Sequence, residues 1–407
     1  MRRLGPAGAA AALLLAAGCA PAARPPEEMV FRQFAPVEAI EPLVRRFEAE
    51  NPGLRVRVER LDRAGAVDTI AAALAAGNPP DLCELDGVQV RAFLDTGALS
   101  DWSAGIADQR DSLRGWEACL VGDAIYGMPW RISARVLFWN RLLFARAGLD
   151  SSRAPATWDQ LLAAASRIQR LRGGVHGYGL PAGDSLAMLP EFLSFAWGNG
   201  GEVLSAGRDS SRFGSPENTQ ALEFLLRLRK AGLQADGERL DREFAAGRLG
   251  LRVADSRLAA RLDREAPGLR FGVAPVPARA AGAGASAPFA DVSVLVSFTR
   301  SRHKEPALRL ARFLARPGNA VEAFAAHPDG MPANAGADSL VWFREHPREA
   351  LLAAEAGRAR FAPAHAAWAG MERTIEDEIE RALRGEKPAD SAVTGAAVRL
   401  AELVGRR

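Results

Sequence analysis

Short apolar strands alternate with amphipathic helices from the start of the folded chain, and this limits it to layered α/β architectures. Val30 to Phe34 reads as a strand, and Pro36 to Glu50 carries Ile40, Leu43, Val44 and Phe47 at helical spacing before Asn51-Pro52-Gly53 stops it. In Leu54 to Arg60, Val56 and Val58 alternate with arginines as in a half-exposed strand. Val67 to Ala76 reads as a second helix, ended by Gly77, and Asp81 to Leu85 as a third strand. The pattern continues with a strand at Val136 to Asn140 and a helix opened by a capping box at Thr157-Trp158-Asp159-Gln160. A helix capped by Ser215-Pro216-Glu217 follows, then a strand at Val292 to Phe298 and a helix from Glu305 to Ala315. From Ala350 onward the chain reads as largely helical, with Ile375, Ile379 and Leu383 on one face.

Ahead of this alternation the chain opens on Arg2-Arg3, an apolar Gly/Ala/Leu run, and Ala16-Ala17-Gly18-Cys19. That is the pattern of a secretory signal ending in a lipobox, so residues 1–18 are expected to leave and Cys19 to become the acylated first residue. The run is shorter than the about 20 apolar residues that span a bilayer. Residues 19–28, with Pro21, Pro25 and Pro26, read as a tether. The expected address is extracytoplasmic, on an envelope membrane through the lipid.

About 390 residues remain, enough for two lobes. The formal charge of +3 shrinks once Arg2 and Arg3 are removed, and the basic residues are dispersed, which argues against nucleic acid as partner. Cys83 and Cys119 could form one disulfide or remain buried thiols, and the sequence leaves both open. The five histidines are scattered, with no metal-ligand spacing and no cofactor motif. Ser301-Arg302-His303-Lys304 has Ser-x-x-Lys spacing without its companion motifs, at a helix start where serine is a common cap. Binding, not catalysis, is the expected class.

A series of short landmarks sharpens this. In order they include Phe47-Glu48-Ala49-Glu50-Asn51-Pro52-Gly53, Ala76-Gly77-Asn78-Pro79-Pro80-Asp81, Gly97-Ala98-Leu99 and Ile125-Tyr126-Gly127-Met128-Pro129. Trp139-Asn140, Ala147-Gly148-Leu149, Pro155-Ala156-Thr157-Trp158 and Trp197-Gly198-Asn199-Gly200-Gly201 follow. Phe244-Ala245-Ala246-Gly247-Arg248, Gly272-Val273-Ala274-Pro275-Val276-Pro277 and Met331-Pro332-Ala333-Asn334 complete the series. Together these resemble the extracellular solute-binding proteins of ABC importers, in the family that includes maltose- and other carbohydrate-binding proteins. The resemblance implies a two-lobed, periplasmic-binding-protein-like α/β fold with a hinge and an interlobe ligand cleft. Mapped here, residues 29–131 plus 292–317 would form the N-terminal lobe and residues 132–291 plus 318–407 the C-terminal lobe, with crossings near Arg131, Asp291 and Pro317. It implies a monomer that captures a mono- or oligosaccharide for an importer's permease. Another polyol such as glycerol phosphate, and a secreted glycoside hydrolase, are the alternatives.

The chain also departs from the family pattern. After Arg248 relatives carry an aromatic residue that often stacks on the sugar, whereas this chain reads Leu249-Gly250-Leu251-Arg252-Val253-Ala254-Asp255-Ser256. Before the second hinge strand it has Ala290-Asp291 in place of Gly-Gly. Sugars are held by aromatic faces and by planar polar groups. The candidate ligand residues are therefore Trp130 and Arg131 at the first crossing, and Asp86 at a strand's C-terminal end. Trp197 with Asn199, Asp255, Asp291 and Phe34 complete the set, while Trp139 and Trp158 are assigned to the core.

Overall fold

The computed structural model describes residues 26–94, 96–282 and 287–405. The signal sequence, Cys19 and most of the tether lie outside the described residues. In chain order the strands are β1 (Glu27–Gln33), β2 (Leu54–Arg60), β3 (Leu82–Asp86), β4 (Leu120–Val121), β5 (Ala124–Ile125) and β6 (Met128–Asn140). They continue as β7 (His176–Pro181), β8 (Gly232–Ala235), β9 (Leu249–Asp255), β10 (Phe271–Ala274), β11 (Ala290–Val296) and β12 (Met331–Pro332). One sheet runs β2-β1-β3-β11-β6-β9-β7-β8, with β10 and β12 also paired to β6, while β4 and β5 form a small hairpin.

The sheet is parallel at both ends and antiparallel in the middle. β1 pairs parallel with β2 and β3, and β7 pairs parallel with β8 and β9, so helical crossovers cover each end. In the middle, β6 changes partners along its length. Its first half, to Ala134, pairs with β11, and Arg135 to Trp139 pair with β9. All thirteen residues of β6 are buried, as a strand shared by two lobes requires. The sequence showed only its second half, because continuous burial erases the alternation that marks a half-exposed strand.

Two hydrophobic clusters divide the interior. The first holds Phe31, Phe47, Trp130 and Phe298, and the second holds Trp158, Phe192, Phe224 and Trp368. Trp139 and Trp158 are both buried; Trp158 stacks on Phe224 at 4.6 Å and donates its indole N–H to the Pro277 carbonyl at 3.0 Å. The Thr157 hydroxyl caps its helix at Gln160 N (3.3 Å), and the Gln160 side chain returns to Ala156 N (2.8 Å). Cys83 and Cys119 are free, buried thiols, both pushed up by burial. Ser301 donates to Asp81 at 2.6 Å, a structural role for that serine.

Three backbone segments lie side by side where the lobes meet. Arg135 N donates to Phe289 O (2.8 Å), Ala290 N to Arg360 O (2.9 Å), and Arg360 N to Pro288 O (2.8 Å). Two of these segments lie close in sequence to Arg131 and Asp291. The third is not at Pro317, which instead opens the helix Pro317–Ala326 at a position where a missing N–H costs nothing. Val321, Phe324, Phe343 and Leu352 join the first cluster, and the chain enters the second cluster only at Trp368. We propose a third crossing at Arg360, on the backbone bonds that join it to Pro288 and Ala290.

Candidate functional site

The cleft between the lobes is built on strand ends. Asp86 closes β3, Asp255 closes β9, Arg135 lies at the partner change of β6, and Asp291 is the second residue of β11. Strand ends expose side chains that the next turn or helix then fixes, which is why α/β sheets present ligands there. These four residues line a cavity of about 390 Å³ together with Arg91, Arg252, Arg257 and Glu372. That size falls within the roughly 300–1,000 Å³ of small-molecule sites. Phe289 and Phe361 supply its aromatic surface.

Guanidinium and carboxylate groups alternate around this cavity. Arg135 Nη1 lies 3.2 Å from Asp255 and 3.1 Å from Asp291, and Arg257 Nη2 lies 2.5 Å from Asp255. Two pairs cross from lobe to lobe: Arg257 with Asp86 at 3.9 Å and Arg91 with Glu372 at 3.7 Å. Below them Arg63 bridges Asp86 and Asp329. Asp329 reaches Arg131 at 3.6 Å because Gly330, at φ +90°, lets the backbone press onto β6; a Cβ there would stand 2.9 Å from the Ser133 hydroxyl.

The electrostatics follow from burial and partner count. Burial pushes the Asp255 carboxyl up, but Arg257 and Arg135 outweigh it and hold the group well below the usual carboxylate range. Asp291, with only a share of Arg135, is raised by burial and by the nearby Asp255. Glu372 is likewise raised by burial and by Asp291, against Arg91. Beneath the cleft Glu84, wholly buried, is raised by burial; it accepts from Phe34 N (3.0 Å) and the Ser293 hydroxyl (2.8 Å).

The sequence-derived candidates separate into four groups. Asp86, Asp255 and Asp291 line the cleft. Arg131, 5% exposed, supports it from below through Asp329, and Phe34 is buried with the Arg63 guanidinium 4.0 Å over its ring. Trp130 and Asn199 are corrections. Trp130 is 2% exposed, packs on Phe31 at 6.2 Å and lies under the Arg131 guanidinium, which stands 4.0 Å over its ring. Asn199 ends its helix and is consumed by Glu217 O (3.1 Å) and Gln220 (3.0 Å). Trp197 borders a second hollow of about 740 Å³ that shares Phe361 with the cleft; its ring stacks on Phe289 at 5.7 Å under Arg360 at 4.5 Å.

Sequence reasoning missed Arg91, Arg135, Arg257 and Glu372. A signal existed for Arg257, which directly follows the stretch where the family resemblance expects the stacking ring. Arg91 and Glu372 meet only through the lobe closure, and nothing local marks them.

The comparisons with known proteins agree with the fold. The family model described as bacterial extracellular solute-binding protein matches residues 42–350. A binding protein of Brucella abortus (strain 2308) is 25% identical over 369 residues, which cover 88% of each chain. The cyclic alpha-maltosyl-1,6-maltose binding protein from Arthrobacter globiformis shares the fold at a TM-score of 0.81 and 23% identity, over 94% of this chain and 100% of that one. UgpB from Mycobacterium tuberculosis, in complex with glycerophosphocholine, does so at a TM-score of 0.78 and 20% identity, over 93% and 99%. No described helix is long and apolar enough to cross a membrane. With the model spanning most of the chain and the lobes, hinge and cleft in place, this chain belongs to the bacterial extracellular solute-binding protein family.

Proposed function

We propose that this protein captures a small hydroxyl-rich solute, of mono- or oligosaccharide class, in the interlobe cleft and delivers it to an ABC importer's permease, as a monomer held to the envelope by a lipid on Cys19. The observation that carries this reading is the ring of paired groups around Arg135, Asp255, Arg257 and Asp291. A hydroxyl both donates and accepts, so it fits where carboxylates and guanidiniums alternate. Phe289 and Phe361 offer faces for the C–H surfaces of a pyranose. Both lobes contribute to the cavity, so a solute touching both walls favours the closed arrangement. The Arthrobacter globiformis neighbour, named for a cyclic oligosaccharide, supports the solute class. A phosphorylated polyol is the weaker reading, because carboxylates outnumber guanidiniums in the lining. Capture requires no turnover, so the hydrolase alternative predicts a reaction and this one predicts none.

Thermal unfolding of the purified protein against a panel of hexoses, disaccharides, polyols and glycerol phosphate tests the reading. A ligand at 100 times its Kd adds about 2.7 kcal/mol. At least one neutral sugar is expected to raise Tm without being consumed. A shift with glycerol phosphate alone overturns the solute class, and cleavage of a bound glycoside overturns the capture role.

A further inference from the structure

The space between the lobes is interrupted. Beside the cleft of about 390 Å³ lies a second compartment of about 290 Å³, whose lining includes His327 and Asp329. Asp241, Arg252, Ala254, Asp255 and Arg257 line both compartments. The ridge between them is therefore the end of β9 with the turn that follows it. From this ridge Arg257 extends toward the other lobe, where Asp86 stands 3.9 Å from its Nη1.

This crossbar is braced at both ends. Asp255 accepts from Arg257 N (2.8 Å), Nε (3.0 Å) and Nη2 (2.5 Å), which fixes the plane of the guanidinium. On the far side Arg63 bridges Asp86 to Asp329. Asp86 N donates to the Gln89 side chain (3.0 Å), which in turn donates to Arg63 O (2.6 Å). Turning Arg257 aside would leave two half-buried carboxylates short of a partner, so a neutral ring cannot displace it cheaply. At 3.9 Å its contact with Asp86 is an ion pair without a hydrogen bond, and Nη1 keeps its donors for a hydroxyl of a solute.

The other limits of the 390 Å³ compartment offer a longer chain little. At the hinge stand Phe289 and Phe361, with Trp197 stacked on Phe289 at 5.7 Å. The rim carries Val88 on one lobe, 49% exposed, and Leu186 on the other, 70% exposed. Arg135 holds Leu186 there by donating to its carbonyl at 3.2 Å. These aliphatic side chains give a further sugar ring no hydrogen bond, and the rim carboxylate Glu238 is engaged by Arg242 and Arg261.

We infer that Arg257 is a length stop: the cleft takes a saccharide of about two pyranose rings, and the Arg257–Asp86 crossbar excludes a third from the compartment beyond. This deepens the solute-capture reading and rests on it. The same guanidinium bonds the last ring and blocks the next, so it sets the size of the solute as well as holding it.

The test is calorimetric titration of the purified protein with linear saccharides of one to four rings, in α-1,4-glucosyl, β-1,4-glucosyl and β-1,4-mannosyl series. In the series that binds best, affinity is expected to peak at one or two rings and to fall at least tenfold at three and four. Arg257→Lys keeps the charge beside Asp255 and Asp86 but lacks the planar fork and its reach. It is expected to raise the three-ring affinity, relative to the two-ring one, at least fivefold. Should the variant not fold, the wild-type profile decides alone. Wild-type affinity that keeps rising through four rings overturns the length stop and leaves sugar capture standing. An unchanged length profile in folded Arg257→Lys also overturns it, and binding of no member of any series overturns both readings.

Discussion

The ionic cleft and the hollow beside it share Phe361, and both mix arginines, carboxylates and two rings in their linings, yet their central side chains are fixed in different ways. In the hollow, Trp197 is fixed by stacking on Phe289 and by the Arg360 guanidinium, contacts that need no partner from outside. In the cleft, Arg135, Arg257, Asp255 and Asp291 hold one another in place, but each carries donors or acceptors beyond those pairs. The hollow's ring is held by packing, with its indole N–H unpartnered among the described residues; the cleft is a polar lattice open to a third party.

Removing one charge from the lattice is expected to have the largest effect. Arg257→Ala leaves Asp255 and Asp86 short of a counter-charge at the lobe boundary, and should cost about 3–5 kcal/mol in urea unfolding and abolish solute binding. Full retention of binding would place the ligand away from this pair. Trp197→Ala tests the other side of the comparison. Loss of the packed ring should cost about 3 kcal/mol, while affinity at the cleft changes by less than threefold. A large affinity loss would show that the hollow is part of the binding surface.

The third test concerns Glu191, on the same helix as Trp197 and wholly inside the second lobe. Burial pushes its carboxyl up to about 8, with the Tyr178 hydroxyl donating to it at 2.7 Å. The folded protein therefore binds the proton more tightly than the unfolded chain, whose Glu titrates near about 4.3. The stability this contributes is complete below about pH 4 and is lost as pH rises through about 8. Glu191→Gln should remove that slope, so the variant gains on the wild type by about 1.4 kcal/mol for each pH unit within the window. Equal pH profiles for the two proteins would show that Glu191 is already ionised in the fold.

The α/β class was legible in the sequence because strand and helix periods are local. β2 and the helix Val37–Glu50 fall within a residue of their expected limits, since alternation and an Asn-Pro-Gly stop act over neighbouring residues. β6 was only half legible, because burial on both faces removes its period. The proposed third crossing moved from Pro317 to Arg360 for a related reason: a proline marks a boundary, and here that boundary is a helix start. Asp86 could be found because the end of its strand can be located, and Asp255 and Asp291 because they stand where the chain departs from the family pattern. Trp130 could not be separated from them, because which face of a pleat meets a cleft depends on the strands beside it.

By itself the sequence determined the family, the alternating architecture and the expected export and lipidation signal, all of which depend on short ordered stretches of chain. Only the tertiary structure decided the chemistry of the cleft. Arg91 meets Glu372, and Asp86 meets Arg257, across 281 and 171 positions of chain, and the sign and balance of a charged site arise from pairs that distant. An ion pair is set by separation in space and by burial, and neither is written in the local order of residues.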